Sequence, residues 1–564
     1  MTFEDALHEI GGYGRFNKTV LTAVVVIGTW HVTLGYFGHL FPLLTPESQW
    51  CLVGGNGSDS LDLPGMPRGP CQFVAATNSV SNMSAVVNKD GTCDTGWVYD
   101  MNELFVTVTM ENNWVCGESN KLYTIHTCHW IGSLVGFLVS GFVADRFGRK
   151  RTVIGLLAVT IIANLGCVFF ASHLSFYMFR FLAGAGTYTS STSSFILVME
   201  YTVATRRTLV AFIWGVSWTF LATAYPWYAY YISNWRGLLL TTVALDVILL
   251  VLYWWAPESS SWLMARGKKE KALALLMRIA KFNGKVVRAD HLETVLFRAY
   301  GTDMWGEVNP DGSKRSFFRN TMALLETPRI RRNTLLVLVI QSLITLCGYV
   351  GSLQLGRMGL DVYATYSVAS AFEFPMNIFC IVALDRVGRR WPNVAFVFIG
   401  GITCLVMTVV QPESTVWTLV MAVMFMTCFS GAFNITYQVC SEIFPTVVRA
   451  RAVLLQRVTG ELGSILGTEV AATVEYNRYM PLLICGVLSV ISSFLLLFLP
   501  ETVGIPLPQT IEDGENLGKD RGLCFCPCLS QEKSPPEMCR HGEYVQNGDP
   551  PCAAVEWRVE QSAL

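Results

Sequence analysis

The chain has 564 residues, of which 52% are hydrophobic and 15% are charged. Soluble domains are nearer one quarter charged, so this composition excludes an ordinary water-soluble protein. The formal net charge of −1 indicates nothing about partners, and we expect no nucleic-acid partner.

Apolar residues occur in about twelve blocks of about 20 residues, the length of helix that crosses a hydrocarbon core of roughly 30 Å. Six blocks precede a charged central stretch and six follow it. Backbone polar groups in lipid must be satisfied within each helix, so the sequence predicts an all-α protein that spans the lipid bilayer. The first block, from about Val20 to Leu44, is too long for a signal-peptide core and is expected to be an uncleaved span.

Charges between the blocks predict the orientation of the chain. Residues 45–119 hold two basic and nine acidic residues, whereas residues 265–332 hold fifteen basic and seven acidic ones. By the positive-inside rule the first stretch is extracellular and the second cytoplasmic, which puts both termini in the cytoplasm of a plasma-membrane protein. The predicted segments are a cytoplasmic N-terminus (1–18), an N-terminal six-helix half (19–256, with the extracellular loop 45–119), a cytoplasmic central loop (257–332), a C-terminal six-helix half (333–500) and a disordered cytoplasmic tail (501–564).

The extracellular loop carries features typical of a secreted surface. Its four cysteines predict two disulfides with three pairings open, and the residues are Cys51, Cys71, Cys93 and Cys116. Asn56 and Asn82 each begin an Asn-x-Ser glycosylation signal on the predicted outer side. We expect a folded cap here rather than a surface that contacts substrate.

The cytoplasmic segments contain one predicted helix and one predicted ligand. Lys268 to Lys281 is rich in Ala, Leu and Lys and is followed by Asn283-Gly284, which predicts a surface helix with a glycine stop. The chain ends in Ser562-Ala563-Leu564, a terminus that a PDZ-domain protein could bind by strand addition.

Three motifs occur twice in the same order. Asp145-Arg146-Phe147-Gly148-Arg149-Lys150 matches Asp385-Arg386-Val387-Gly388-Arg389-Arg390, and Pro257-Glu258-Ser259 matches Pro500-Glu501-Thr502. Glu200 and Arg207 match Glu442 and Arg449 with the same spacing. The three offsets are 240, 243 and 242 residues, so the second half is a duplicate of the first.

A duplicated six-plus-six bundle with these loops resembles the major facilitator superfamily, whose substrate site lies near the midplane between the halves. More narrowly, the whole chain resembles the solute carrier 22 family of organic ion transporters. The matching motifs are Gly96-Trp97-Val98-Tyr99-Asp100, Ala144 with the loop that follows it, Glu442-Ile443-Phe444-Pro445-Thr446 and Leu499-Pro500-Glu501-Thr502. One departure lies at Pro257-Glu258-Ser259-Ser260-Ser261-Trp262, where the family usually has Pro-Arg before the Trp.

The resemblance implies that the repeated loops form a conformational latch. Their charges are expected to bond across helix ends, to lock the outward-open state and to separate as the halves rock. Fixing orientation alone would need the arginines but not the matched acids, which favours the latch. The expected latch residues are Asp145, Arg146, Gly148, Arg149, Glu200 and Arg207, with their copies Asp385, Arg386, Gly388, Arg389, Glu442 and Arg449.

Three ionisable residues fall deep within apolar blocks, where they are costly and usually functional. They are Glu373, Arg457 and Glu461. The resemblance implies that both acids occupy positions that are acidic in the family's organic cation members. An acid at the midplane supplies the charge that a desolvated ammonium needs. Alternatively, Arg457 and Glu461 pair with each other across one helical turn, or together bind a carnitine-like zwitterion.

Aromatic rings are the other half of cation recognition. Tyr349 and Tyr230 match, approximately, aromatic positions of the family's cation transporters. Where those members carry further aromatics, this chain has Ser133 and Ser191, which favours a smaller and more polar solute. The predicted function is therefore secondary-active or facilitative transport of small organic cations or zwitterions.

Other functions were weighed against this one. An organic anion exchanger would use Arg457 but would be opposed by Glu461. A non-transporting sensor would be expected to lose the latch residues. An enzyme or metal site would need a convergent cluster, and the closest histidine pair, His126 and His129, has no partner pattern. No cofactor is expected, no Walker motif indicates ATP drive, and coupling to sodium or protons stays open.

Overall fold

A computed structural model places most of the chain in helices and adds one small sheet. The described residues are 3–46, 48–53, 71–75, 93, 97–101, 104–303, 322, 324–358, 360–410, 414–505 and 507–519. The predicted glycosylation sites Asn56 and Asn82 and the C-terminal Ser562-Ala563-Leu564 lie outside them.

The first part of the chain contains six long helices and several short elements. In order these are α1 (Phe3–Glu9), α2 (Thr22–Leu40), β1 (Gln49–Val53), β2 (Gln72–Ala75), β3 (Trp97–Tyr99), α3 (Val108–Glu111), α4 (Asn120–Phe147), α5 (Arg149–Phe169), α6 (His173–Glu200), α7 (Ala204–Ile232), α8 (Trp235–Trp255), α9 (Ser260–Ala265), α10 (Lys269–Phe282) and α11 (Ala289–Asp303). The second part contains α12 (Pro328–Leu355), α13 (Val362–Ala371), α14 (Glu373–Val387), α15 (Arg390–Val410), α16 (Thr415–Ile443), α17 (Thr446–Ala472), α18 (Met480–Leu496) and α19 (Ile511–Asn516).

By length and hydropathy, nine helical stretches of the described residues qualify as membrane spans, one of them formed jointly by α13 and α14. The remaining three of the twelve are α6, α17 and α18. The first two carry charged residues such as Arg180 and Glu461 within their length, and α18 has only 17 residues. The twelve-helix arrangement predicted from the apolar blocks is confirmed.

The eighth span is divided in two at Phe372. Pro375 has no backbone N–H to bond the carbonyl of Ala371, so the helix cannot run on without a break. The second piece, α14, therefore begins at Glu373, which places this carboxyl group in the first turn of a helix, where the helix dipole favours negative charge.

The described residues of the loop 45–119, which we call the cap, include a small sheet, and we call their side of the molecule the outer side. Strand β1 pairs in parallel with β2 and antiparallel with β3. Of the three pairings left open by the sequence, the structure has Cys51–Cys93 and Cys71–Cys116. The cap is joined to α8 by Glu111, whose carboxylate accepts two hydrogen bonds from the Arg236 guanidinium, each 2.7 Å long.

On the opposite, inner side lie both the N-terminal helix and the central helices. The predicted surface helix is α10, and Gly284 follows it with φ +73°. The Asn283 side chain bonds the N-terminal segment, with Oδ1 2.8 Å from the Phe16 nitrogen and Nδ2 2.9 Å from the Ile10 oxygen. The N-terminus is therefore built into the same inner layer as the central loop.

The start of the predicted disordered tail is ordered, which corrects the prediction for residues 501–519. Glu501 is 1% exposed. Further along, Glu515 of α19 accepts hydrogen bonds from the backbone N–H groups of Arg329 and Ile330 at the start of α12. These bonds satisfy helix-terminal donors that would otherwise lack partners, so this part of the tail is fastened to the C-terminal half.

The buried side chains form three clusters. The outer cluster joins the two halves, since Phe41 and Tyr225 belong to one half and Leu355 and Tyr366 to the other. The two inner clusters draw their residues from one half each, residues 6–296 in one and 324–499 in the other. The halves are thus packed together on the outer side and form separate cores on the inner side.

Candidate functional site

The residues predicted to bind substrate lie mainly where the two halves face each other. Helix α4 packs against α17 and α7 against α13 across this interface. Both contacts join the N-terminal half to the C-terminal half, so side chains at the middle of these helices can meet a solute between them.

Arg457 and Glu461 do not form the helix-internal pair that their spacing allows. The guanidinium carbon of Arg457 lies 4.7 Å from the ring centre of Tyr437 and 5.5 Å from that of Phe433. The buried Oε2 atom of Glu461 has no hydrogen-bond partner among the described residues. The carboxyl group is therefore available to a ligand, and aromatic faces hold the arginine instead.

Three aromatic side chains pack together near this carboxyl group. The Trp130 ring stacks on Tyr188 with centres 5.2 Å apart and meets Tyr349 edge to face at 4.9 Å. Glu461 lies within electrostatic reach of Tyr188. We name Trp130, Tyr188 and Tyr349 the aromatic cluster.

Ser133 connects the aromatic cluster to the acid. It lies three residues beyond Trp130 on α4 and is fully buried beside the Glu461 carboxyl group. Its hydroxyl has no hydrogen bond of ordinary geometry among the described residues. Ser133 and Glu461 therefore present two polar groups at the same place, with the hydroxyl within hydrogen-bonding reach of the carboxyl group.

Glu373 provides a second acid at the start of α14. It lies near the side chains of Trp218 and Ser430 and within electrostatic reach of Tyr36. The Tyr36 hydroxyl donates to Ser352 across the two halves at 2.9 Å. Glu373 is thus close to the interface, though on the α7 and α13 side rather than the α4 and α17 side.

The structure places two predicted site residues elsewhere. Ser191 is buried inside the N-terminal half, where its hydroxyl donates to the Gly28 carbonyl of α2 at 3.3 Å. Tyr230 is 59% exposed two residues from the outer end of α7, with its ring 5.1 Å from that of Tyr363. Ser191 lies on a face of its helix that points away from the interface between the halves, and Tyr230 lies too close to the outer end of α7. We therefore leave both out of the proposed site.

Three histidines form a cluster, of which the sequence shows only His126 and His129 as a close pair. His126 Nδ1 lies 2.9 Å from His39 Nε2 and 2.9 Å from the Tyr349 hydroxyl. The rings of His39 and His129 stack with centres 3.8 Å apart. We name His39, His126 and His129 the histidine triad. The pair on α4 could be seen in the sequence, but His39 of α2 joins it only through helix packing.

A buried polar pair in the N-terminal half was also missed. His31 Nδ1 lies 2.5 Å from Asp246 Oδ1, and both side chains are fully buried. The other ring nitrogen faces Ser190 Oγ at 2.9 Å. The two partners are 215 residues apart in the chain, so no local pattern could have indicated the contact.

The three repeated motifs meet in space at the inner end of each half. In the N-terminal half, Arg149 forms an ion pair with Glu200 at 2.6 Å, and Glu258 Oε1 accepts the Lys150 backbone N–H at 3.0 Å. Gly148, with φ +103°, makes the turn, and a Cβ atom there would lie 2.5 Å from Glu258 Oε2. Asp145 contributes its carbonyl, which accepts a hydrogen bond from Arg266 at 2.6 Å.

The C-terminal half repeats the arrangement. Arg389 forms ion pairs with Glu442 at 3.2 Å and Asp385 at 2.7 Å. Glu501 accepts the backbone N–H groups of Arg389 and Arg390, at 2.9 and 3.0 Å. Gly388 has φ +97°, close to the value at Gly148.

Arg207 and Arg449 do not bond the acids of their own motifs in this structure. Each donates through Nε to a backbone carbonyl five residues earlier, that of Thr202 at 3.2 Å and Phe444 at 3.1 Å. The acid of each motif, Glu200 or Glu442, is reached instead by a loop arginine. The ion pairs described above also stay within one half, because the inner ends of the two halves form separate cores. Among the other latch residues, Arg146 lies over the Phe147 ring and Arg386 has interactions of its own.

Comparisons with known proteins agree with this architecture. Residues 75–513 match the model of the family described as sugar (and other) transporter. Organic anion transporter 3 of Oryctolagus cuniculus is 30% identical over 92% of this chain and 94% of its own. Solute carrier family 22 member 13 of Homo sapiens is 28% identical over 91% of this chain and 93% of its own, and member 1 of Oryctolagus cuniculus is 27% identical over 92% and 96%.

A solved structure shows the same fold. The partially occluded inward-open form of the xylose transporter XylE from E. coli has a TM-score of 0.57, with 16% identity, and the match covers 86% of this chain and 99% of that one.

Proposed function

The chain belongs to the sugar (and other) transporter family and, within it, to solute carrier family 22, and on this premise we propose that it carries small organic cations or zwitterions by alternating access. The relatives are transporters rather than enzymes, and this chain is a multi-pass membrane transporter. The proposal adds the substrate class and a plasma-membrane location with both termini in the cytoplasm, which the charge bias of the loops supports.

The observation that carries the substrate class is the unpaired carboxyl group of Glu461. A buried charge without a partner is costly, so an ionised carboxylate at this depth favours a cationic ligand that neutralises it. Arg457 does not neutralise it directly, because its guanidinium packs on Tyr437 and Phe433.

The aromatic cluster supports the same class. Ring faces attract ammonium groups, and Trp130, Tyr188 and Tyr349 pack on one another, with Tyr188 within electrostatic reach of Glu461. Ser133 adds a hydroxyl that can bond a polar group of the solute. The proposed binding residues are therefore Glu461, Ser133 and the aromatic cluster, with Glu373 as a second acid nearer the α7 and α13 contact.

A zwitterion would use Arg457 as well. Its guanidinium lies on α17 one turn before Glu461, and it forms no ion pair within 4 Å with a described carboxylate. A carnitine-like solute could place its quaternary ammonium at Glu461 and its carboxylate at Arg457.

The second candidate function is organic anion exchange. It is favoured by the same free guanidinium of Arg457 and by the name of one relative, organic anion transporter 3. In this case Glu461 would oppose the substrate rather than attract it.

We also propose that the two inner motif clusters support the conformational change. Each cluster fixes the N-terminus of a helix and the end of its neighbour through Arg149 and Glu200 or through Arg389 and Glu442. The outward-open lock predicted from the sequence would require these inner ends to approach each other.

Uptake into expressing cells tests the substrate class. Labelled tetraethylammonium, carnitine and a small dicarboxylate are offered to the wild type and to Glu461→Gln. Loss of a charge-assisted contact costs about 1.5–3 kcal/mol, so the KM for the cation or for carnitine should rise roughly 10–100-fold.

The matched control is Glu469→Gln, which removes an exposed carboxylate two turns farther along α17 whose described contact is Thr127 at 3.2 Å. It should leave uptake unchanged at equal surface expression. Uptake of the dicarboxylate alone, undiminished in Glu461→Gln and abolished in Arg457→Met, would replace the cation proposal by the anion one.

A further inference from the structure

The histidine triad lies at the closed outer contact between the two halves. His39 belongs to α2, and His126 and His129 belong to α4, while the hydroxyl of Tyr349 on α12 reaches His126 from the other half. The three imidazoles are at most 2% exposed. The triad is therefore sealed from water only as long as the halves stay packed at this end.

The hydrogen bonds of the triad leave two ring nitrogens bare. His129 Nδ1 faces the Arg180 carbonyl at 3.2 Å and must carry a proton, because a carbonyl only accepts. His129 Nε2 and His39 Nδ1 have no partner among the described residues. Because its Nδ1 carries the proton, His129 Nε2 is a basic site that would take a proton if water reached it, and His39 Nδ1 is one in the tautomer whose Nε2–H donates to His126.

A metal ion is a poor occupant of this place. A metal must lie in the plane of each imidazole that binds it, about 2 Å from the nitrogen. The His39 and His129 rings are nearly parallel, at 14°, with centres 3.8 Å apart, so their nitrogens cannot aim at one point between them.

The surroundings of the triad are already positive. Arg180 of α6 is 1% exposed, donates to the Gly38 carbonyl at 3.4 Å and forms no ion pair with a described carboxylate. Arg357, two residues past the end of α12, donates to the Tyr123 hydroxyl at 2.7 Å. The other groups that face the triad are neutral tyrosines, Tyr349 and Tyr188.

Two described acids of α17 come close to residues that neighbour the triad. Glu469 accepts a hydrogen bond from Thr127, the neighbour of His126, but is exposed, and Glu461 lies within electrostatic reach of Tyr188. Neither bonds a ring of the triad. A proton added to the closed triad would thus be a buried charge next to two arginines, with no described carboxylate bonded to it.

The space for water next to the triad is small. A cavity of about 20 Å³, room for about one molecule, lies on the outer side of His126 and is lined by Tyr123, Arg357 and Thr45 among others. When the outer ends of the halves separate, this cavity becomes continuous with the outer solution, and the triad can titrate.

We propose that the histidine triad is a proton-binding site of the outer gate: protons from the outer solution bind it in the outward-open state and must leave before the gate closes. Acid outside therefore holds the transporter open outward and slows entry of the solute. Protons do not accompany the solute inward, because the closed gate excludes a charged triad. The inference rests on the alternating-access part of the proposed function and not on the class of solute.

The test measures the outer gate directly, without a substrate. Spin labels at Ser172 and Tyr476, in outer loops of opposite halves, report the distance between the halves in the purified full-length protein. An imidazole in water titrates near pH 6.5, so one such proton raises the ratio of open to closed molecules about tenfold between pH 7.5 and 5.5. We expect the long-distance population to grow accordingly at pH 5.5.

The decisive variant is His39→Gln with His129→Gln, which removes both bare nitrogens and should abolish the pH effect on the distance. The matched control is His173→Gln, an exposed histidine at the outer end of α6, which should keep it. A pH effect that survives in the double variant, or distances that never change with pH in the wild type, would overturn the proposal.

Uptake provides the second, independent measurement. With whichever solute is carried, influx should fall several-fold from external pH 7.5 to 5.5 in the wild type and stay flat in the double variant at equal surface expression. Influx that rises on acidification and loses this rise in the double variant would mean that the triad drives symport instead. Failure of cation uptake with an intact distance response would overturn the substrate class alone.

Discussion

At the scale of single residues, the proposed site predicts that Trp130 contributes to the affinity for a cationic substrate. Its ring contacts both Tyr188 and Tyr349. A cation over such a ring gains about 0.5–2 kcal/mol, so Trp130→Leu should raise the KM for a cationic solute roughly 2–30-fold with surface expression unchanged. Initial uptake rates over a range of solute concentrations measure this.

The control for Trp130→Leu is Trp227→Leu, which removes a half-exposed indole near the outer end of α7. Equal effects of the two substitutions would mean that the loss is one of general packing and would remove Trp130 from the site.

The depth of a charged side chain within an apolar helix could be predicted from the sequence, whereas the groups that it contacts could not. The depth of Glu461 follows from its place in an apolar block. Whether Arg457 neutralises it depended on two rings of α16, Phe433 and Tyr437, that compete for the guanidinium. Spacing along α17 cannot show that competition.

At the scale of elements, the repeated Pro-Glu motif acts as a helix cap that is supplied by the segment following another helix. Glu501 accepts four backbone N–H groups, those of Arg389, Arg390, Thr502 and Val503. A glutamine side chain keeps one acceptor oxygen, but its NH₂ group would face the remaining backbone N–H donors. Glu501→Gln should therefore destabilise the C-terminal half by about 1–3 kcal/mol, which would appear as an apparent Tm lower by a few degrees in the purified protein.

The comparison variant is Glu512→Gln, an exposed carboxylate of α19. An unchanged Tm in Glu501→Gln would show that water replaces the lost acceptor and that the motif is not a stabilising cap.

Glu111, which joins the cap to α8, predicts that the stability of the cap depends on pH. The hydrogen bonds from Arg236 hold the pKa of Glu111 below its ordinary value of 4.5. A lowered folded pKa gives a stabilisation that is present above pH 4.5 and is lost as the pH falls through the lowered value. Glu111→Gln should remove this dependence, measured as protease sensitivity of the cap between pH 5 and 3.

The window of the Glu111 effect lies below the one proposed for the histidine triad. A wild-type cap that stays equally resistant across this range, or a variant that keeps the wild-type profile, would contradict the anchoring role of the carboxylate.

Helices whose ends are determined by residues close by in the sequence were predicted well. The helix expected from Lys268 to Lys281 is α10, Lys269–Phe282, because its propensity and glycine stop are local. The ordered segment after residue 500 was missed, since its polar composition reads as disorder and only docking onto α12 and α17 orders it.

At the scale of the whole molecule, alternating access predicts that the outer contact must open for transport. Ser367 Oγ donates to the Thr223 carbonyl at 2.6 Å across α13 and α7. Cysteines at both positions should form a disulfide on oxidation, hold the outer side closed and abolish uptake, and a reductant should restore it. Uptake by oxidised cells, with and without reductant, measures this.

Each single cysteine variant and the wild type serve as controls, since oxidation and reduction also reach the native disulfides Cys51–Cys93 and Cys71–Cys116. Full transport by the cross-linked protein would mean that this contact does not separate during the cycle.

The sequence by itself determined the twelve spans, the duplication and the family, because block length, charge bias and motif spacing act along the chain. Only the tertiary structure decided which groups meet. It paired Glu200 with Arg149 rather than Arg207, chose one disulfide pairing of three, turned Ser191 away from the interface and assembled the triad from His39 and the α4 histidines. These outcomes depend on the rotation of each helix about its axis and on contacts between residues far apart in the chain, which no local pattern records.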